Sequence, residues 1–316
     1  MIKSIFAICT IIFAATTASL CQTTETSADS IPQLFEPGRI STKYPNRDIA
    51  ISPDREEIFY TFQGYKREFS VIMHLMQING EWMEPVVASF SGQFHDLEPA
   101  FAPDGKRLYF ASNRPTEEGS KKADYDIWYV DKEHGKWGTP VNVGAPVNTD
   151  KNEFYPSVAE NGSLYFTAEY EGNKGKEDIY VSRYSDGKYA RPESLSEGVN
   201  SETYEFNAFV APDESYIIFS SYGRADDLGG GDLYISMKNE QGEWTNARHL
   251  PAPINSEALD YCPFVSADQQ YFFFTSNRSK VQQADKYKEL ILMMESIENG
   301  FDNVYWMKAD RVLKTH

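Results

Sequence analysis

The chain of 316 residues is poor in cysteine, in basic charge and in long apolar runs. It has 3 cysteines, and two of them, Cys9 and Cys21, fall at the extreme N-terminus. With Cys262 alone in the body, no disulfide can form there, so the fold has to rest on its apolar core. Lys and Arg number 30 against 47 Asp and Glu, a formal net charge of −17. That excess argues against a nucleic-acid partner, whose phosphates would be repelled. It also disfavours docking on anionic lipid. No segment reaches the ~18 apolar residues of a transmembrane span. The histidines (His74, His95, His134, His249 and His316) show no paired metal spacing, so a zinc site lacks support. No Gly-x-Ser-x-Gly elbow is present. Gly and Pro make up 20 and 16 residues, too few for a disordered or collagen-like chain.

The N-terminus has the order of an export signal. Lys3 precedes an apolar run from Ile5 to Ala15, followed by the small residues Thr16 to Ser19. This predicts a secretory signal peptide over residues 1–21, against the plainer reading of a buried N-terminal helix. Cleavage is expected after Ala18 or Cys21. A lipobox wants Leu three residues before its Cys and a small residue just before it. Here those places hold Ala18 and Leu20, so a lipid anchor through Cys21 is the lesser reading. Residues 22–32 read as a flexible polar leader. The expected location is the periplasm or outside the cell.

Aromatics are plentiful at 14%, and they recur with a period. A turn phrase appears five times: Ser52-Pro-Asp54, Ala102-Pro-Asp104, Ala159-Glu-Asn161, Ala211-Pro-Asp213 and Ser266-Ala-Asp268. The intervals between its Asp or Asn positions are 50, 57, 52 and 55 residues. Pro presets the first corner, and Asp or Asn bonds its own backbone. Each phrase leads into an aromatic, β-branched run such as Leu108–Ser112 or Tyr271–Thr275, apolar on both faces as a sheet packed between sheets requires. A third run follows (Asp126–Val130, Asp178–Val181, Asp232–Ile235), then a Gly-x-Trp/Tyr element at Gly80, Gly135, Gly187 and Gly242. A period near fifty with short strands means a propeller or a solenoid. No capping repeats with polar outer faces are visible, so the ring is preferred.

The expected fold is therefore all-β: a single five-bladed β-propeller over residues 33–316, with four antiparallel strands per blade. The repeat units fall at about 46–96, 97–152, 153–205, 206–261 and 262–313. The last unit lacks its fourth strand, and residues 32–41 are the candidate to complete it and close the ring. Residues 280–299 interrupt the fifth unit. Ala284 to Ile297 reads equally as a short amphipathic helix or as a loop padding the propeller side.

The segment Glu98-Pro-Ala-Phe-Ala-Pro-Asp-Gly-Lys-Arg-Leu-Tyr-Phe-Ala-Ser-Asn-Arg114, followed by Asp126-Ile-Trp-Tyr-Val130, resembles the TolB-type WD40-like β-propeller repeat. A second copy is Ala211-Pro-Asp213 with Gly229-Gly-Gly-Asp232-Leu-Tyr. The resemblance covers about residues 33 to 313. It implies an exported propeller, in a family that includes periplasmic scaffolds and some pectin-fragment lyases. The third copy departs from the pattern, with Ala159-Glu160-Asn161-Gly162 in place of Pro-Asp-Gly. TolB-type rings usually have six units, where five are counted here.

Aligning the units places Asn46, Asp96, Glu153, Glu205 and Asp260 eight residues before the turn Asp. Asp48, Glu98, Tyr155, Asn207 and Cys262 follow two residues later. Strand alternation puts both sets on one face, so Asp96, Glu98, Glu153, Glu205 and Asp260 are the candidate ligand or cation residues at a channel mouth. Three readings stay open: a hard-cation site such as Ca²⁺, a carboxylate pair acting on a sugar, or acids tied to backbone amides and neighbouring Arg side chains. No other cofactor is implied.

Arg114, Arg224 and Arg278 after second strands, with Asp126 and Asp232 before third strands, are expected to form structural Arg–Asp pairs across the hairpins. Gly229–Gly231 reads as turn chemistry, since the Lys-Ser/Thr of a phosphate loop is absent. Asp226 and Asp227 beside it offer a possible surface cation site. Tyr65, Tyr170 and Tyr222 are placed at loop tips, where aromatics can stack on sugars. Cys262 reads as a buried structural thiol. The preferred function is a non-catalytic, monomeric scaffold binding a protein, peptide or glycan in the cell envelope; the alternative is a glycosidase or lyase.

Overall fold

The computed structural model describes residues 31–116 and 124–314. The expected signal peptide, Cys21 and the leader up to residue 30 lie outside the described residues.

The turn phrase makes the same local structure five times. The side-chain oxygens of Asp54, Asp104, Asn161, Asp213 and Asp268 each accept the backbone N–H two residues on, at 2.9–3.1 Å. This Asx turn reverses the chain and launches the second strand. The five innermost strands are Asn46–Ile51, Asp96–Phe101, Glu153–Val158, Tyr204–Val210 and Asp260–Val265. Each pairs antiparallel with the strand after its turn, which pairs in turn with a third. The outermost strands are only two residues long, for example Val86–Val87 and Glu193–Ser194. In the last sheet, Gln33 and Leu34 pair antiparallel with Trp306 and Tyr305 in that outer place.

The Gly-x-Trp/Tyr elements differ from expectation. Glu81–Trp82, Lys136–Trp137 and Lys188–Tyr189 fold back on the end of the preceding strand as hairpin returns, and the outer strand comes a few residues later. Gly at a left-handed corner, as at Gly80 with φ of 83°, forces the return before the sheet edge is reached.

Both faces of each sheet are apolar because each is covered by a neighbouring sheet. Five buried clusters join the sheets in sequence order. Phe59 and Ile72 meet Phe110 and Trp128, Tyr109 and Ile127 meet Phe166 and Tyr180, and Ile179 and Val181 meet Phe219 and Tyr234. Ile218 and Ile235 meet Phe272 and Phe274. The fifth cluster joins Phe273 and Val304 of the last sheet to Ile49 and Ile58 of the first. The result is a five-bladed β-propeller.

Further bonds lock blade to blade. Thr61, Thr167 and Thr275, on second strands, each accept a backbone N–H from the next blade's innermost strand, those of Glu98, Asn207 and Asp48. The interruption in the fifth unit contains one helix, Tyr287–Met294, none of whose residues is buried.

Candidate functional site

All five innermost strands carry a register shift at the same place, between Arg47/Ala50, Leu97/Ala100, Phe154/Ser157, Phe206/Phe209 and Tyr261/Phe264. In each shift one residue has left-handed backbone: Asp48, Glu98, Tyr155, Asn207 and Cys262, with φ between 48° and 60°. A bulge of this kind inserts a residue and re-aims the strand. The two-residue alternation therefore fails there, and the two aligned sets do not share a face.

Four of the five expected mouth acids, those in the outer set, turn away from the axis. Asp96, Glu153, Glu205 and Asp260 are each 0% exposed. Asp96 accepts from Arg114 at 2.6 Å and from Ser112 and Ser91. Glu205 takes Arg224 at 2.9 Å with the N–H and hydroxyl of Ser201. Asp260 takes Arg278 at 2.9 Å with the N–H and hydroxyl of Ser256. The Arg side chains thus pair with first-strand acids, rather than with the third-strand Asp126 and Asp232 that the hairpin geometry suggested. Asp126 accepts from Asn142 at 2.7 Å, and Asp232 faces His249 at 2.7 Å. Arg224 and Arg278 each also lie over two rings, for example Arg224 at 5.4 Å from Phe219 and 4.8 Å from Tyr234, and Arg114 lies over three. These guanidiniums are structural bolts, each joining one acid, one backbone carbonyl and two or three aromatic rings.

Unit 3 has no such Arg. Tyr170 stands in its place, donating to the Val147 carbonyl at 2.7 Å and packing on Tyr180. Burial therefore pushes Glu153 up to about 7, against the bonds from Thr149 that oppose it. Tyr170 is consequently a packing residue and not a free loop-tip aromatic. Tyr65 and Tyr222 are exposed, at 56% and 49%.

A further recurring phrase holds this layer and was not singled out in the sequence: Val147-Asn148-Thr149, Val199-Asn200-Ser201 and Ile254-Asn255-Ser256. Each Asn bridges both the N–H and the carbonyl of a third-strand residue, Ile127, Ile179 or Leu233. Each Thr or Ser binds the acid four residues on. The spacing Asn-Ser/Thr-x-x-x-Glu/Asp was the available signal.

The inner set meets on the axis and plugs it. Arg47 donates to Glu98 at 2.9 Å, to Asp48 at 2.5 Å and to the Cys262 sulfur at 3.3 Å. The Cys262 thiol donates to Asp48 at 2.7 Å. Asn207 and the Tyr155 N–H complete the shell of Glu98 at 3.2 and 2.7 Å. Burial raises Glu98 to about 7, the Arg47 guanidinium opposing the shift and Asp48 adding to it. Burial likewise pushes the Cys262 thiol well above its ordinary range. Cys262 is thus a buried structural thiol, as the sequence suggested.

Outside this plug, at the strand-start end, lies a cavity of about 320 Å³. Its wall is the residue between the two aligned sets, taken from every blade: Arg47, Leu97, Phe154, Phe206 and Tyr261. Glu98 is the one expected site residue that borders it. Glu177, Arg67 and His95 supply further polar groups. Burial, reinforced by Glu169, raises Glu177 to about 7. The Gln63 carbonyl oxygen, on the same wall, is buried without a hydrogen-bond partner. Aromatic walls with a few convergent polar groups and perturbed acids are the usual make-up of a ligand site.

Among the described residues, no three His, Cys, Asp or Glu side chains converge as a metal-ligand set. The Tyr234 hydroxyl, with one proton to share, lies 2.8 Å from both Asp226 and Asp227. No described helix is long and apolar enough to cross a membrane.

No family model and no curated protein sequence matches the chain. Among solved structures, it is similar to TolB from Acinetobacter baumannii, with 14% identity and a TM-score of 0.49 over 84% of this chain. It spans 57% of that TolB chain. It is also similar to the α-L-arabinofuranosidase of Lactobacillus brevis, at 12% identity and TM-score 0.47, covering 86% of this chain and 95% of that one. A third similar structure is the Podospora anserina α-L-arabinofuranosidase in complex with cellotriose, at 9% identity and TM-score 0.47, covering 88% and 93%.

Proposed function

We propose that this chain is an exported, non-catalytic β-propeller scaffold. It binds a peptide, protein or glycan partner in the cell envelope through the aromatic cavity at the strand-start end of the axis. The strand Gln33–Leu34 acts as the clasp that closes the ring, and the protein works as a monomer. One observation carries the binding reading. Four of the five expected mouth acids are spent, since Asp96, Glu205 and Asp260 are fully buried in Arg pairs and Glu153 is capped by Thr149. What remains open to a ligand is a ring of Leu97, Phe154, Phe206 and Tyr261 around Arg47. Rings and a guanidinium supply stacking and hydrogen bonds to a sugar or peptide without a reaction.

A second reading has one observation in its favour: Glu98 and Glu177 border one cavity, and both carboxyls are raised to about 7. A raised acid near an aromatic wall is the environment of a glycosidase general acid. The two readings separate on a glycan and peptide array read twice, for retained ligand and for released product, with Glu177→Gln beside wild type. The scaffold reading expects retention without product in both proteins. Product release that disappears in Glu177→Gln would instead establish the enzyme.

A further inference from the structure

The opposite end of the axis holds a second cavity, of about 190 Å³. The residue before the turn Asp or Asn in every phrase borders it: Pro53, Pro103, Glu160, Pro212 and Ala267. Its wall is apolar and aromatic, with Phe101, Phe209 and Phe264 from three blades and Ile49, Val158 and Val265 between them. Phe209 and Phe264 meet edge to face at 5.7 Å. Among the described residues, no Lys, Arg or His borders this cavity, but two carboxylates do. Glu98 lies at the axial plug. Glu160 is exposed at the rim, where the third repeat replaces the Pro of its sisters.

The charge count at the plug is unbalanced. Arg47 is the one cation bonded to two buried carboxylates, Asp48 and Glu98. The second oxygen of Asp48 is buried with no hydrogen-bond partner. With both acids ionised, the plug carries a net negative charge that Arg47 alone does not cancel. Burial is the main cause of the rise of Glu98 to about 7; Asp48 adds to it and Arg47 opposes it. The space suffices for a six-carbon ring, since an apolar cavity of ~150 Å³ holds benzene.

We propose that this cavity is a binding site for a compact organic cation, an ammonium on an apolar alkyl or aryl body. The ammonium lies between Glu160 and the Glu98 side of the plug, and the body lies against Phe101, Phe209 and Phe264. The site is independent of the mouth cavity described above, because the Arg47–Glu98 plug stands between the two.

The test is calorimetric titration of the purified protein at pH 8 with three probes of one shape: 2-phenylethylammonium, 2-phenylethanol and 3-phenylpropionate. Methyl NMR of Val158, Val210 and Val265 locates the probe. The ammonium is expected to bind at least tenfold more tightly than the alcohol, the carboxylate not to bind, and those three methyl groups to shift. Glu160→Gln is expected to weaken the ammonium at least threefold, and Glu98→Gln at least tenfold. If Glu98→Gln, which alters a buried network, fails to fold, the surface variant Glu160→Gln decides alone. Equal binding of alcohol and ammonium, no binding of any probe, unshifted cavity methyls, or wild-type affinity in Glu160→Gln would each overturn the assignment.

Discussion

Arg47 and Glu98, on the innermost strands of adjacent blades, form a 2.9 Å ion pair on the propeller axis, with both side chains less than a tenth exposed. Buried guanidinium and carboxylate are costly to desolvate, and breaking such a pair from one side is worse than never having built it. Arg47→Met leaves Asp48 and Glu98 without their cation and is expected to destabilise by about 3–5 kcal/mol in urea unfolding. Adding Glu98→Gln to it should restore part of that loss. A double variant as unstable as the sum of the singles would mean that the pair is not coupled.

Stability should fall as pH rises from 5 to 8. Glu98, Glu153 and Glu177 are each raised to about 7, mainly by burial. Between the ordinary glutamate value of about 4.3 and 7, the folded chain therefore holds protons that the unfolded chain has released. Their contribution is fully present below about 4.3 and lost as pH passes through about 7. Glu57 works in the opposite sense. Despite burial, bonds from His74, Lys132 and Trp137 lower it to about 2, so its contribution is lost as pH falls toward that value. Thermal melting across pH 3–9 should peak on the acid side of neutrality. A flat profile between 5 and 8 would contradict the burial of these acids.

Tyr170→Arg should give unit 3 the bolt its sisters have. A guanidinium reaching Glu153 would lower that carboxyl and flatten part of the pH dependence, adding on the order of 1 kcal/mol at pH 8. If the variant melts lower than wild type at pH 8 and higher at pH 5, Tyr170 is not the positional counterpart of Arg114.

The clasp can be tested at Phe35, whose ring meets Phe273 edge to face at 5.0 Å, and whose N–H donates to the Val304 carbonyl at 2.8 Å. Phe35→Ala should cost about 2 kcal/mol, the scale of one aromatic burial. Native-state hydrogen exchange should then show faster exchange in the strand Asn303–Lys308. Unchanged stability and exchange would mean that the first strand is not structural.

The architecture was legible because its signal is local. An Asx turn needs only Asp or Asn and its neighbours, so Asp54, Asp104, Asn161, Asp213 and Asp268 mark the period directly. The site was not legible in the same way. Placing Asp96 and Glu98 on one face assumes an unbroken pleat, and a bulge at Glu98 removes that assumption. Asp48 and Asn207 tolerate left-handed backbone and hint at the bulge, but Glu98, Tyr155 and Cys262 give no such hint, being residue types for which positive φ is uncommon. The mouth wall of Leu97, Phe154, Phe206 and Tyr261 was therefore missed, and acids that serve as bolts were read as ligands. The Arg bolts were seen as structural, yet their partners lie on the first strands and not on the third strands that hairpin geometry suggests.

The most direct measurement takes a glycan or peptide retained on the array and titrates it against wild type, Phe206→Ala and Asp260→Asn, with mass spectrometry of the ligand after prolonged incubation. A scaffold that binds at the aromatic mouth should lose at least tenfold in affinity through Phe206→Ala, stay within about twofold in a folded Asp260→Asn, and return the ligand chemically unchanged. A cleaved ligand, or a Phe206→Ala that binds as wild type while Asp260→Asn does not, would contradict it.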